Sequence, residues 1–322
     1  MNDINILVTG AGGFIGNNIS RYLLQNTKHK IYAADIKFDE RSDDLLDYMN
    51  YRRYDIDLTN TDDFFVIYDN IKKIDIILHL ASPIGVNNVT NNPSDTFVNG
   101  TLINNNVLLL AHKYNSKIIF TSSSEVYGEG KIYSTEEYLK IPSANTEIFG
   151  RGSYALQKLN FEYQLKLSGI DSTILRLFNV VGKDQNTPGM IIPTMINDAI
   201  TKGSITIINN GTRSYCSVKE AIKQFYEVIN DIIEEKFNDN FRIFNIGNPN
   251  NSNIKSALDI AEIVFKELKL PVDIHYENTN NEFNITARIL RDHNKYNNNC
   301  EINVENIIKE SIDFSLATNK LK

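Results

Sequence analysis

A short aliphatic run, Ile4-Asn5-Ile6-Leu7-Val8, leads directly into Thr9-Gly10-Ala11-Gly12-Gly13-Phe14-Ile15-Gly16, after which apolar residues recur at helical spacing through Ile19, Leu23 and Leu24. This order confines the region to strand, tight turn and helix. Gly10 permits the turn, Gly13 lets the backbone approach a pyrophosphate, and Gly16 lets the helix pack closely on the strand, with its N-terminus aimed at the anion. The spacing is Gly-x-x-Gly-x-x-Gly, whereas the commoner fingerprint is Gly-x-Gly-x-x-Gly. Glycines of this kind also make plain tight turns, but their position between strand and helix favours a nucleotide site.

A second strand over 30–34 ends at Asp35, about 20 residues beyond the loop, where a carboxylate suits the two ribose hydroxyls and repels a 2′-phosphate. The expected cofactor is therefore NAD. Lys37 and Arg41 leave NADP open, and Asp35 as a simple turn residue is the structural alternative. A third strand is expected over 51–54, with Asp57 after it positioned to meet an adenine amino group. Residues 74–78 are almost wholly apolar, as a strand buried on both faces demands, and run into His79-Leu80-Ala81-Ser82. With no carboxylate or second histidine spaced to pair with it, His79 reads as a packed strand-end residue. A helix over 95–113 and a strand over 117–121 follow. Strands alternating with helices in this way predict an α/β fold, a Rossmann-type doubly wound parallel sheet.

After that strand, Thr121-Ser122-Ser123-Ser124-Glu125-Val126-Tyr127-Gly128 sets hydroxyls and one acid at the carboxyl end, where open parallel sheets carry their sites. Further on, Tyr154 and Lys158 are spaced to share one helical face. An ammonium beside a phenol favours the ionised phenol, so Tyr154 is expected to act as a base near neutral pH. That is the chemistry of taking a proton from an alcohol.

Composition excludes other classes. Among 322 residues the net charge is −7 and no lysine or arginine block is present, which argues against nucleic acid as a partner. Two cysteines, Cys216 and Cys300, cannot form a disulfide framework, and no Cys/His cluster has metal-ligand spacing, so a reducing compartment and no metal are expected. Without a signal peptide or an apolar run near the ~20 residues that span a bilayer, the expected location is the cytoplasm, with no membrane partner.

In this order the motifs resemble the extended short-chain dehydrogenase/reductases, the NAD-dependent nucleotide-sugar epimerases, dehydratases and decarboxylases. The likeness runs through residues 9–16, His79-Leu80-Ala81, Asn99-Gly100-Thr101, residues 122–128, Tyr154-x-x-x-Lys158, Arg176-Leu177-Phe178-Asn179-Val180-Val181-Gly182 and Phe244-Asn245-Ile246-Gly247-Asn248-Pro249. The resemblance implies Tyr154 as general base, Lys158 holding tyrosine and nicotinamide ribose, and Ser123 bonding the reacting sugar hydroxyl. It implies NAD contacts from Gly10, Gly13, Phe14, Ile15, Gly16, Asp35, Asp57, Leu58, Leu80, Ala81, Ser82 and Asn99. A nucleotide-diphosphate sugar would meet Ser124, Glu125, Asn179, Arg213 and Arg288 or Arg291. The NAD-binding domain would comprise 1–178 with 217–247, and a smaller α/β substrate-binding domain 179–216 with 248–322. Helices 95–113 and 151–168 resemble those of a four-helix homodimer interface.

Within the family, the hydroxyl-Ser-Glu-Val-Tyr-Gly segment is most similar to the UDP-glucuronate decarboxylases, as are Ala81-Ser82-Pro83 and Gly211-Thr212-Arg213-Ser214-Tyr215-Cys216. That implies oxidation at sugar carbon 4, loss of carbon dioxide from the β-keto acid, and Glu125 and Arg213 stabilising or protonating the enolate. A 4,6-dehydratase, in which Glu125 protonates a departing hydroxide, and a 4-epimerase are the alternatives; a non-catalytic NAD sensor or scaffold is a remote one. Glu125 could also simply cap a turn. Residues 129–150, which shape the sugar pocket, match no branch.

Overall fold

The computed structural model describes residues 3–127, 149–185, 189–277 and 287–319. Six strands, β1 (Asn5–Thr9), β2 (Lys30–Asp35), β3 (Tyr51–Asp55), β4 (Ile76–His79), β5 (Lys117–Ser123) and β6 (Ser172–Leu177), build most of one parallel sheet. Next along the chain come β7 (Asn179–Val181), β8 (Ile205–Ile207) and β9 (Thr212–Ser217), and then β10 (Phe241–Ile246), which returns to the large sheet beside β6. The resulting order is β10-β6-β5-β4-β1-β2-β3, every pairing parallel, with the order reversing between β1 and β4. A crevice opens at that reversal, beyond the carboxyl ends of the strands.

Helices cover both faces, which is why the central strands are rich in apolar residues. On one face α1 (Phe14–Asn26) and α7 (Val218–Ile233) bury Ile19, Leu23, Phe225 and Val228 against Ile6 and Val8 of β1. On the other, α2 (Thr61–Asn70), α4 (Pro93–Tyr114) and α5 (Phe149–Ser168) bury Phe64, Val107, Leu110, Phe161 and Leu165 against Leu7, Ile77 and Phe120. The short α3 (Val86–Asn91) precedes α4.

A separate core is formed by α6 (Ile191–Lys202), α8 (Ala257–Leu268) and α9 (Val304–Asn319), through Met195, Ile260, Phe265 and Ile308. Beside it, β9 pairs with β7, with β11 (Ile254–Lys255) and with β13 (Ala287–Arg288), while β12 (Ile274–Tyr276) pairs with β8. No helix among the described residues is long and apolar enough to cross a membrane.

Two elements differ from the sequence expectation in ways that matter. The helix expected from 95 starts at Pro93, because proline is preset for the first helical position. β5 runs on through Ser122 and Ser123, which pair with Arg176 and Leu177 of β6, so these hydroxyls belong to the sheet. Cross-strand hydrogen bonds overrode the turn-forming bias of a serine run.

Candidate active site

The glycine loop is shaped by contacts that tolerate no side chain. Gly10 has φ +72°, and a Cβ on Gly12 would lie 2.1 Å from the Lys37 carbonyl oxygen. A Cβ on Gly16 would lie 2.1 Å from the Gly10 carbonyl, holding α1 against the turn. Gly13 occupies the N-cap of α1 and offers no capping side chain, and the first turn carries no acid, so Phe14, Ile15 and Gly16 present a helix N-terminus suited to an anion. At the end of β2 the Asp35 carboxylate accepts from the backbone N–H of Gly12 at 2.9 Å and of Lys37 at 3.1 Å, and burial raises it above the ordinary carboxylate range. Arg41 is held by Asp39 and by the Asp184 carbonyl.

The rest of the expected cofactor set lines the same edge. Asp57 accepts from the N–H and hydroxyl of Thr59 at 2.8 Å each, and the Leu58 carbonyl accepts from Asn106 of α4. Leu80 N–H donates to the Thr9 carbonyl and Ala81 N–H to the Thr9 hydroxyl, while Ser82 reaches Gln157 of α5. Asn99 is exposed on α4, beside a recess of about 250 Å³ that Pro83 also lines. A dinucleotide fits this cradle: an uncapped helix end for pyrophosphate and a carboxylate at the β2 end for ribose. His79 is fully buried between Thr9 and Asn104, at 2.7 Å and 3.0 Å, and burial draws it down to about 3.

Farther along the crevice, α5 brings Tyr154 against the end of β5, where Ser123 hydrogen-bonds its phenol and also accepts from the Glu125 N–H at 3.1 Å. Glu125 lies in the short 3-10 turn Ser124–Tyr127, close enough for its charge to act on Tyr154; Ser124 is buried beside it. Lys158 is buried too. Its Nζ donates to the Thr121 carbonyl at 2.8 Å and stands 5.7 Å from the centre of the Tyr154 ring.

Burial acts on both members of this pair. Burial, reinforced by the Glu125 charge, pushes the Tyr154 phenol above its ordinary value, and burial draws Lys158 down to about 7. Helical spacing did put the two side chains on one face. The protein around them, however, penalises both charges and turns the ammonium toward a backbone carbonyl.

Arg288 supplies a contact that sequence reasoning did not foresee. Its Nη1 meets Glu125 Oε1 at 2.5 Å, whereas Arg213, the arginine expected to work with Glu125, is its neighbour across the β9–β13 pairing. Lys255 of β11 stands opposite Arg213 on its other side. Directly paired residues project to the same face, so three cations form a row across β11, β9 and β13. The Nε of Arg288 is buried and meets no acceptor among the described residues. Asn179 donates to the Ser214 carbonyl at 3.3 Å, and Arg291 is exposed and bonded to Asn251. Gly128 and nearly all of 129–150 lie outside the described residues.

Residues 6–247 match the model of the NAD dependent epimerase/dehydratase family. UDP-glucuronic acid decarboxylase 6 of Arabidopsis thaliana is 30% identical over 285 residues, covering 86% of this chain and 78% of the relative. UDP-N-acetyl-alpha-D-glucosaminuronate decarboxylase of Bacillus cytotoxicus is 27% identical over 281 residues, 82% of this chain and 81% of its own. Among solved structures, the UDP-glucuronic acid 4-epimerase of Bacillus cereus, determined with UDP-glucuronic acid and NAD, superposes with TM-score 0.82 at 22% identity, covering 98% of this chain and 100% of that one. At that identity the likeness speaks for the fold.

Proposed function

We propose, since this chain belongs to the NAD-dependent epimerase/dehydratase family, that it decarboxylates UDP-glucuronate by way of oxidation at carbon 4. The observation that carries this reading is Arg288, which pairs with Glu125 beside Tyr154 and keeps a buried Nε–H without an acceptor among the described residues. A substrate carboxylate is the acceptor such a donor suits. The relatives named as decarboxylases of sugar acids support it.

Bound NAD supplies two-electron oxidising power and a positive charge at its nicotinamide ring. Gly10, Gly13, Phe14, Ile15 and Gly16 would hold its pyrophosphate and Asp35 its ribose, with Asp57, Leu58, Leu80, Ala81, Ser82 and Asn99 along the remaining length. Tyr154 takes the proton of the carbon-4 hydroxyl, Ser123 orients that hydroxyl, and Lys158 anchors the nicotinamide ribose. In the resulting β-keto acid, breaking the bond to the carboxyl carbon releases carbon dioxide and leaves its electron pair as an enolate. Arg288 stabilises the developing negative charge, Glu125 holds that guanidinium in place through their ion pair, and a proton from solvent quenches the enolate. Arg213 and Asn179 face the diphosphate or sugar, with Ser124 beside them. We read 179–216 with 248–322 as the unit that holds the nucleotide sugar, and 1–178 with 217–247 as the NAD-binding unit.

We further propose a homodimer built on α4 and α5. A Cβ on Gly100 would lie 2.5 Å from Gln157, so the two helices pack closely, and their outer faces leave Val98, Leu102, Leu109, Leu156 and Leu167 exposed, the last at 83%. An apolar surface of this kind on paired helices suits an identical partner. The cytoplasm is the compartment that suits two free cysteines and these substrates.

The test is to incubate the protein with NAD and UDP-glucuronate and to follow product mass together with NADH absorbance. Loss of carbon dioxide is expected. An unchanged mass after long incubation would sink decarboxylation of this sugar, and a carbon-4 isomer would identify an epimerase.

A further inference from the structure

Tyr154, Lys158 and Glu162 recur at four-residue spacing along α5 and share one face of it. The chemistry proposed above uses the first two and leaves the third without a task. Glu162 is 3% exposed and bonds in two directions. Its Oε1 accepts the Ser122 hydroxyl at 2.5 Å, while Arg176 donates from Nε at 3.1 Å and from Nη2 at 2.6 Å. Ser122 and Arg176 are themselves directly opposed in the pairing of β5 with β6. The three residues therefore close a buried ring of contacts under the end of β5, with the Arg176 guanidinium also lying 4.8 Å from the centre of the Tyr127 ring.

What this ring grips is the segment 121–123. The Thr121 carbonyl receives Lys158, the Ser123 hydroxyl bonds Tyr154, and Ser122, between them, is fastened to Glu162. We propose that Glu162 is a positioning residue of the reaction: by holding Ser122 and Arg176 it fixes the end of β5 so that Lys158 and Ser123 stand in register with Tyr154, and it gives Lys158 a buried negative neighbour. The inference rests on the roles assigned to Tyr154 and Lys158 above.

Electrostatics agree with the geometry. Burial lowers Lys158 to about 7, and Glu162 is the group that pushes it back up. The other charged or titratable groups around this site are Tyr154 on α5, Glu125 on the turn after β5, His79 on β4, drawn down to about 3, and Arg176 on β6, whose charge is spent on Glu162.

Glu162→Gln alone would strand the Arg176 charge in the interior, so the test uses the paired change Glu162→Gln/Arg176→Met and, separately, Ser122→Ala. In the unliganded full chain labelled with 13C-lysine, the Cε signal of Lys158, assigned by its disappearance in Lys158→Met, reports the ammonium titration without reference to any sugar. The folded double variant is expected to titrate lower, having lost the group that raises it. Ser122→Ala keeps the Lys158 midpoint and lowers kcat on UDP-glucuronate roughly tenfold at unchanged KM, as a small misplacement of a catalytic group does. An unmoved midpoint in the folded double variant, or full kcat in Ser122→Ala, overturns the proposal; if the double variant does not fold, Ser122→Ala decides. A wild-type protein inactive on UDP-glucuronate defeats the functional reading instead, and the Lys158 titration still judges this one.

Discussion

Arg288 reaches Glu125 across 163 residues of sequence through a 2.5 Å ion pair that joins β13 of the smaller sheet to the turn following β5. Both ends are largely withdrawn from solvent, the side chains being 5% and 19% exposed. Replacing Arg288 by Met should therefore lower kcat on UDP-glucuronate by about 10²-fold, the usual effect of losing a donor aimed at developing charge. Arg288→Lys should recover only part of it, since an ammonium cannot reproduce the planar fork. Steady-state kinetics beside NAD titration calorimetry check this: NAD affinity should stay as it was.

Tyr154→Phe removes one hydroxyl and keeps the ring. Turnover should fall by 10²-fold or more, the scale of a lost general base, with the thermal melt essentially unchanged. A non-catalytic NAD-binding protein would keep its function in this variant, so full turnover or a retained binding role would count against the enzyme reading.

Gly12→Ala would set a methyl group against the Lys37 carbonyl, where the built Cβ lies 2.1 Å away. Backbone must move, and the backbone in question bears Asp35, which the Gly12 N–H itself holds. NAD affinity is expected to drop by about tenfold or more, 1.4 kcal/mol, as measured by calorimetry.

His79 is fully buried and drawn down to about 3 from an ordinary 6.5. The unfolded chain thus takes up a proton that the folded one refuses, and stability is complete above pH 6.5 and falls as pH drops toward 3. Each such proton contributes a slope of about 1.4 kcal/mol per pH unit. Urea unfolding between pH 7 and 5 should register this loss, and His79→Asn should flatten the dependence by close to one proton. His29, lowered in the same direction by burial, accounts for part of what remains.

Leu102→Glu with Leu167→Glu places charge on the outer faces of α4 and α5. If those faces meet a second copy, light scattering should record a wild-type dimer and a variant monomer of unchanged helical content. A wild-type monomer would remove the interface.

The parts of this molecule that the sequence makes legible are those written in neighbouring residues. Gly10 to Gly16 specify a turn through local sterics, and the aliphatic runs of β1 and β4 declare a sheet covered on both sides. Tyr154 and Lys158 share a face because a helix dictates it. Their protonation is not legible in the same way: spacing conveys which side chains are close, whereas burial and the Glu125 charge come from the surrounding fold. Arg213 was expected to act beside Glu125 on the enolate and Arg288 on the diphosphate, whereas the contact to Glu125 comes from Arg288, whose strand neighbour is Arg213. Cys216 and Cys300, read only as too few for a disulfide framework, lie close enough for Gln224 to donate to both sulfurs. Only long-range topology could have announced that.

The segment 121–123 has a consequence for how such a site can change over evolutionary time. In the chemistry proposed, the residues that would handle the carbon-4 hydroxyl hang from one strand and the helix beside it as one block. The ion pair from Glu125 to Arg288 is the strut that leaves that block for another sheet. If Arg288 acts as proposed, substitutions at the far end of the strut would redirect what befalls an oxidised sugar while the oxidation itself is inherited intact. A scaffold divided in this way can diversify its products without relearning its first step.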